Sequence, residues 1–301
     1  MHFVTMKIQG EERIGLTDEA QNYVLDLHKA QKELGNGTVL PSTLLEGIEQ
    51  GESFIESMAK LRDHVFMQRD SESYFYPMGE IHLLAPIPRP RKNIFCVGKN
   101  YRDHVLEMGS EGDIPEHIMI FTKSPTSVIG PGASIESHEN LTDQLDYEGE
   151  LAIVIGKSGK GISIEDAMDH VFGYTIVNDI TARDMQKRHK QFFLGKSLDG
   201  SCPMGPTIVH KSFMEDPQSL IVETKVNGEV RQRESTGLMI FSIPEIIATI
   251  SKGMTLEPGD IIATGTPAGV GKGFEPPRFL KKGDVVEVSV EKIGTLKNVV
   301  V

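Results

Sequence analysis

Asp146-Tyr147-Glu148-Gly149-Glu150-Leu151-Ala152-Ile153-Val154-Ile155 starts acidic and ends as an unbroken apolar run. It reads as a strand. Residues two apart in a strand share a face, so Glu148 and Glu150 lie with Ala152 and Val154. Two adjacent carboxylates beside apolar neighbours repel each other and are costly to bury without a cation. A hard divalent ion, Mg²⁺ or Mn²⁺, removes that cost, because such ions prefer oxygen ligands. Asp179 offers a third oxygen, since it ends the apolar run Tyr174-Thr175-Ile176-Val177-Asn178 and precedes a helix. Three carboxylates leave coordination positions open for a substrate. Plainer readings stand beside this one: Glu148 and Glu150 as the solvent face of an edge strand, and Asp179 as a helix N-cap.

Around this segment the chain is rich in strands. Residues 94–97 and 173–178 are short apolar strands. Residues 220–226 and 229–232 flank Asn227-Gly228, a two-residue hairpin signal that supplies the positive φ angles such a turn needs. Residues 260–264 and 284–290 are strands reached through Gly-Asp turns. Helices are expected at 101–108, 181–190 and 243–252. Thr181 and Asp184 have capping-box spacing, and Pro244 suits a first turn. Strands and helices do not alternate regularly, which disfavours Rossmann and TIM architectures. The fold class is α+β and β-rich.

Upstream, Ala85-Pro86-Ile87-Pro88-Arg89-Pro90-Arg91 cannot be helical and marks a boundary. It divides a small N-terminal α+β domain, 1–88, from a larger domain, 89–301. Residues 2–8 alternate like a strand and hairpin through Gly10 toward Ile14. Residues 20–34 have helical spacing that stops at Gly35-Asn36-Gly37. Residues 43–48 and 54–61 are two more helices.

The 301 residues hold 31 Lys+Arg against 43 Asp+Glu, a net charge of −12. Such a surface repels phosphate backbones, which disfavours nucleic acid as a partner. A local cluster of cations can still hold a small acidic substrate. Cys96 and Cys202 lack metal-ligand spacing, and a reduced cytoplasmic setting is the simplest expectation. No leader-like or membrane-spanning run is visible. The loop Thr264-Gly265-Thr266-Pro267-Ala268-Gly269-Val270-Gly271-Lys272-Gly273 fails as a phosphate loop. Thr266 stands where the first Gly is required, and Gly273 stands where Ser or Thr must follow the Lys. It is either a tight surface loop or a backbone that closes over a small ligand.

In Asn100-Tyr101-Arg102-Asp103-His104-Val105-Leu106-Glu107-Met108, His104 and Glu107 stand at i and i+3 of a helix and can touch. A carboxylate that orients an imidazole suits a general base. Gly98, Gly109 and Gly112 flank the helix and would let it act as a lid. An exposed helical ion pair is the bland alternative.

Seven ordered segments now carry a resemblance: FCVGKNYRDHVLEM (95–108), YEGELAIVIG (147–156), NDITARDMQ (178–186), LGKSLDGSCPMGP (194–206), VNGEVRQ (226–232), MIFSIPEII (239–247) and GDIIATGTPAGVG (259–271). Together they resemble the fumarylacetoacetate hydrolase (FAH) family over 92–298. The resemblance implies a mixed β-sandwich roll, a homodimer, and bound Mg²⁺ or Mn²⁺. It implies Glu148, Glu150 and Asp179 as metal ligands, His104 and Glu107 as a lid dyad, and Lys196 as an active-site lysine. Lys123, Arg183, Gln186 and Thr266 match substrate-contact positions. The implied chemistry is carbon–carbon bond cleavage in a small 2-oxo acid through a stabilised enolate. Oxaloacetate decarboxylation is favoured, because Lys123, Arg183 and Lys196 suit a substrate with two carboxylates. Acylpyruvate hydrolysis shares the enolate. A scaffold role, with the N-terminal domain as interaction surface and possible protein partner, is the reading from another class.

Overall fold

Strand pairing carries residues 149–155 into the middle of the molecule. The computed structural model describes residues 1–34, 39–67 and 71–301, so the Gly35-Asn36-Gly37 stop lies outside the described residues. The N-terminal third contains β1 (His2–Ile8), β2 (Glu11–Thr17), β3 (Tyr23–Asp26), α1 (Leu27–Leu34), α2 (Leu44–Gln50), α3 (Glu52–Phe66) and β4 (Phe75–Pro77). Next come β5 (Ile94–Gly98), α4 (Arg102–Met108), β6 (Met119–Lys123), β7 (Gly149–Ile155), β8 (Val171–Asn178), α5 (Arg183–His189) and α6 (Phe193–Lys196). The chain closes with β9 (Cys202–His210), β10 (Ile221–Val226), β11 (Glu229–Ser235), α7 (Ile243–Ser251), β12 (Ile261–Ala263), β13 (Val285–Val290) and β14 (Gly294–Val300).

The large sheet runs β4-β3-β2-β1-β9-β8-β7-β12-β5-β6, and a second sheet runs β11-β10-β13-β14 with Ser134–Ile135 at its edge. The unbroken apolar run of β7 is explained by burial on both faces. Leu151, Ile153 and Ile155 pack in a core with Val222, Val286 and Leu296 of the second sheet. Ala152 and Val154 point the other way, into a core shared with Phe3, Phe54 and Met58. The result is an α+β fold dominated by strands.

The N-terminal strands extend the large sheet: β1 pairs antiparallel with β9, Phe3 opposite Ile208. The Asn227-Gly228 turn forms as read, with φ of 53° and 79°. Helix α7 starts at a capping box of Ser242 and Glu245.

Two expectations are corrected. The helix read over 20–34 begins only at Leu27. Tyr23–Asp26 is strand β3, because a ladder to β2 (Leu16 opposite Leu25) and to β4 (Val24 opposite Tyr76) outweighs helical spacing. Asp26 then accepts from the Lys29 backbone N–H at 2.9 Å and fixes the helix start. The helix read over 181–190 starts at Arg183. Thr181–Ala182 pairs with Leu145–Asp146 in a short ladder. Thr181 Oγ1 donates to Asp179 O at 2.9 Å instead of capping, and Asp184 accepts from Thr142 Oγ1 at 2.6 Å.

Candidate active site

The start of β7 meets the end of β8 at a cluster of charges. Glu148 and Glu150 flank the first residue of β7, and Asp179 follows the last of β8. The two backbones are tied by Asp179 N–H donating to Glu148 O at 2.8 Å. Glu148, Glu150 and Asp179 are all buried, and their carboxylate oxygens lie within 4.8 Å of one another. The edge-strand reading therefore does not hold, and Asp179 is not a solvent-facing cap.

Three buried cations answer these acids. Lys196 Nζ donates to Glu148 Oε2 and Asp179 Oδ2, both at 2.7 Å. Arg183 Nη1 lies 2.7 Å from Glu148 Oε1, and Lys123 Nζ 2.7 Å from Asp179 Oδ1. Burial alone would raise the Glu148 carboxyl, but Lys196 and Arg183 outweigh it and hold it at about 2. Glu150 goes the opposite way. Burial, then the charges of Asp179 and Glu148, push it well above the usual carboxylate range. Its Oε2 accepts from the Gly265 backbone N–H at 2.7 Å, and no cation pairs with it among the described residues.

This imbalance tests whether the residues fit a metal. Asp146 is a fourth buried carboxylate, so four acids face three cations. Asp179 Oδ1 also receives no hydrogen bond among the described residues, despite the nearby Lys123. An all-oxygen set with an uncompensated charge suits a hard divalent cation.

A cavity of about 350 Å³ opens over the cluster, lined by Glu148, Glu150, Arg183, Lys196, His104 and Thr266 among others. His104 Nδ1 is 2.7 Å from Glu107 Oε1, and Glu107 Oε2 accepts from the Gly269 backbone N–H at 2.8 Å. His104 is thus buried and Glu107 half-buried and held by the glycine loop, unlike an exposed helical ion pair. With Nδ1 engaged, Nε2 is the nitrogen left for chemistry. Gly269 has φ of 104°, and a Cβ there would fall 1.9 Å from Arg231 O.

The remaining sequence-derived residues divide. Gln186 and Thr266 line the cavity. Thr266 Oγ1 is already engaged, donating to Gly149 O at 3.0 Å and accepting from Gln232 Nε2 at 2.7 Å. Lys123 lies under Asp179, off the cavity wall, and donates to Ile180 O at 3.0 Å. Sequence reasoning missed Asp146. Its Oδ1 accepts from the Gly271 N–H at 2.6 Å, and its Oδ2 from Arg183 Nε at 2.8 Å and the Lys272 N–H at 3.1 Å. The signal was available, since Asp146, Glu148 and Glu150 continue one alternation. Gln232, which also accepts from the Gly149 N–H at 3.0 Å, gave no such signal.

Comparison with known proteins follows the same residues. Residues 93–301 match the family model described as fumarylacetoacetate (FAA) hydrolase C-terminal. The chain is 58% identical over 299 residues to the oxaloacetate tautomerase YisK of Bacillus subtilis strain 168, covering 99% of each chain. Its structure is similar to the fumarylacetoacetate hydrolase of psychrophilic Exiguobacterium antarcticum, with a TM-score of 0.82 and 45% identity over 100% of this chain and 99% of that one. It is also similar to a 2-hydroxyhepta-2,4-diene-1,7-dioate isomerase from Mycobacterium marinum, with a TM-score of 0.74 and 32% identity over 100% and 98%. Among the described residues no helix is long and apolar enough to cross a membrane.

Proposed function

The chain belongs to the fumarylacetoacetate hydrolase family, and from that premise we propose that it converts oxaloacetate through its C2–C3 enolate. The first assignment is keto–enol tautomerisation. Decarboxylation, which the sequence alone favours, is the second and uses the same enolate. The observation that carries the reading is the buried triad Glu148, Glu150 and Asp179, two of whose members, Glu148 and Glu150, line the cavity whose wall also holds His104. The 58% identity to an oxaloacetate tautomerase supports ranking proton transfer ahead of bond cleavage.

Glu148, Glu150 and Asp179 would hold a Mg²⁺ or Mn²⁺ that supplies Lewis-acid stabilisation for the 1-carboxylate and 2-oxo oxygens. Arg183 and Lys196 add positive charge where the enolate's negative charge develops. His104 Nε2 takes the C3 proton while Glu107 steadies Nδ1, and the C3–H electron pair moves into the C2–C3 bond. Lys196 then gives a proton to the 2-oxygen, which yields the enol. In the decarboxylation reading the C3–C4 bond breaks instead of C3–H, its electron pair moves into the C2–C3 bond, CO₂ leaves, and a solvent proton relayed by His104 goes to C3. The proposal includes a cytoplasmic homodimer.

The test follows loss of the enol by ultraviolet absorbance and release of pyruvate in parallel, with Mn²⁺ and with chelator. The reading expects metal-dependent acceleration of enol–keto exchange that exceeds pyruvate release. Faster turnover of acetylpyruvate by an order of magnitude would move the assignment to acylpyruvate hydrolysis. Activity on none of these, with Glu148→Ala/Glu150→Ala fully competent in the cell, would favour the scaffold reading.

A further inference from the structure

Arg183 has one donor with nothing to do. Its Nε donates to Asp146 Oδ2 and its Nη1 engages Glu148, yet Nη2 meets no acceptor among the described residues, in a residue only 3% exposed. A buried donor of this kind costs stability unless something fills its place. Arg183 lines the cavity, and since Nη2 itself is covered, a ligand there engages it through a local shift of the side chain.

Lys272 lines the same cavity from the glycine loop. Its backbone N–H donates to Asp146 Oδ2, the oxygen that also holds Arg183 Nε. One buried carboxylate therefore sets both cations in place. The Lys272 side chain makes no ion pair among the described residues. Burial, then Arg183 and Lys187, pushes its ammonium below the ordinary lysine range. Six cationic side chains line the cavity, Lys99, Arg183, Lys187, Lys190, Lys196 and Lys272, on an otherwise acidic protein, and one of them carries an open donor. An anion entering there is attracted strongly, because the cations are partly desolvated.

We propose that Lys272 and Arg183 Nη2 form a distal-carboxylate subsite, with Lys272 the specificity-determining residue that selects 2-oxo dicarboxylates over 2-oxo acids with a neutral tail. This rests on the reading that the acidic triad and its metal hold the 2-oxo acid end. A site built to pair a carboxylate discriminates against an analogue that lacks it, because its donors are left unpaired.

The experiment titrates Mn²⁺-loaded protein calorimetrically with oxalate, which has no distal group, with oxaloacetate, and with its isosteric 4-amide, 2-oxosuccinamate. Wild type should bind oxaloacetate about tenfold or more tighter than the amide. Lys272→Met should erase that preference and leave oxalate within about twofold, while Lys272→Arg keeps the preference. A preference that survives in Lys272→Met overturns the subsite. Equal weakening of oxalate in that variant overturns it as well. If wild type binds all three without preference, the subsite alone fails. If it binds none, the reading of the whole site fails with it.

Discussion

At one end, strand β8 delivers Asp179 into the cluster of Glu148, Glu150, Lys123, Lys196 and Arg183. At its other end Phe172 packs beside Phe3, with ring centroids 5.8 Å apart, and edge-on to His210 at 5.2 Å. Phe3 stacks in turn on Phe54 of α3 at 5.4 Å. Both ends are buried, but burial acts oppositely on them. The aromatic seam gains stability from every ring removed from water. The acidic end loses hydration that its ion pairs only partly return, and Glu150 is left without a counter-charge. One end of the strand holds the sheet together, and the other holds chemistry that the sheet must tolerate.

The largest expected effect tests the tolerance. Glu150→Ala should lower turnover about a thousandfold or more. In chelator it should leave the thermal midpoint unchanged or raised, since it removes a repelled, buried carboxylate. A midpoint several degrees lower would break the contrast. At the seam, Phe54→Ala should cost about 3–5 kcal/mol in denaturant unfolding, with metal affinity of the folded protein unchanged. Between these lies the His104–Glu107 pair: His104→Ala should slow turnover about a hundredfold or more while the protein still binds metal. Calorimetry and steady-state rates on one preparation separate the two.

The smallest effect is a pH dependence confined to the seam. Burial, the N-terminal amine and Lys211 lower the His210 imidazole to about 4. Burial and then Arg62 lower the Met1 amine from 8.0 to about 4. Both groups are therefore neutral in the native state. Their contribution is present above the unfolded values of 6.5 and 8.0, and is lost as pH falls toward 4. The thermal midpoint should decline over that window, and His210→Gln should flatten the part below 6.5. An unchanged slope in that variant would exclude His210 as a contributor.

How far the sequence reaches differs between these ends. Alternation placed Glu148 and Glu150 on one face, and the Asn227-Gly228 turn was local enough to read directly. The end of the apolar run 174–178 offered Asp179, and the family segments brought in Lys196 and Arg183 from far along the chain. The long strand β9, with Pro203, Gly205 and Pro206 in it, carried no readable period, because its conformation is set by pairing with β1 and β8. Strand β3 was hidden for the same reason. Asp146 and Lys272 escaped because their importance lies in what they touch: a guanidinium 37 residues away and a cavity the loop closes.

A Mn²⁺-soaked crystal measured for anomalous scattering addresses the central claim directly. The account predicts one peak per chain, bounded by oxygens of Glu148, Glu150 and Asp179, with the Lys196 ammonium moved off at least one of its two carboxylates. Lys196 still bridging Glu148 and Asp179, with no peak among the three acids at saturating Mn²⁺, would contradict it.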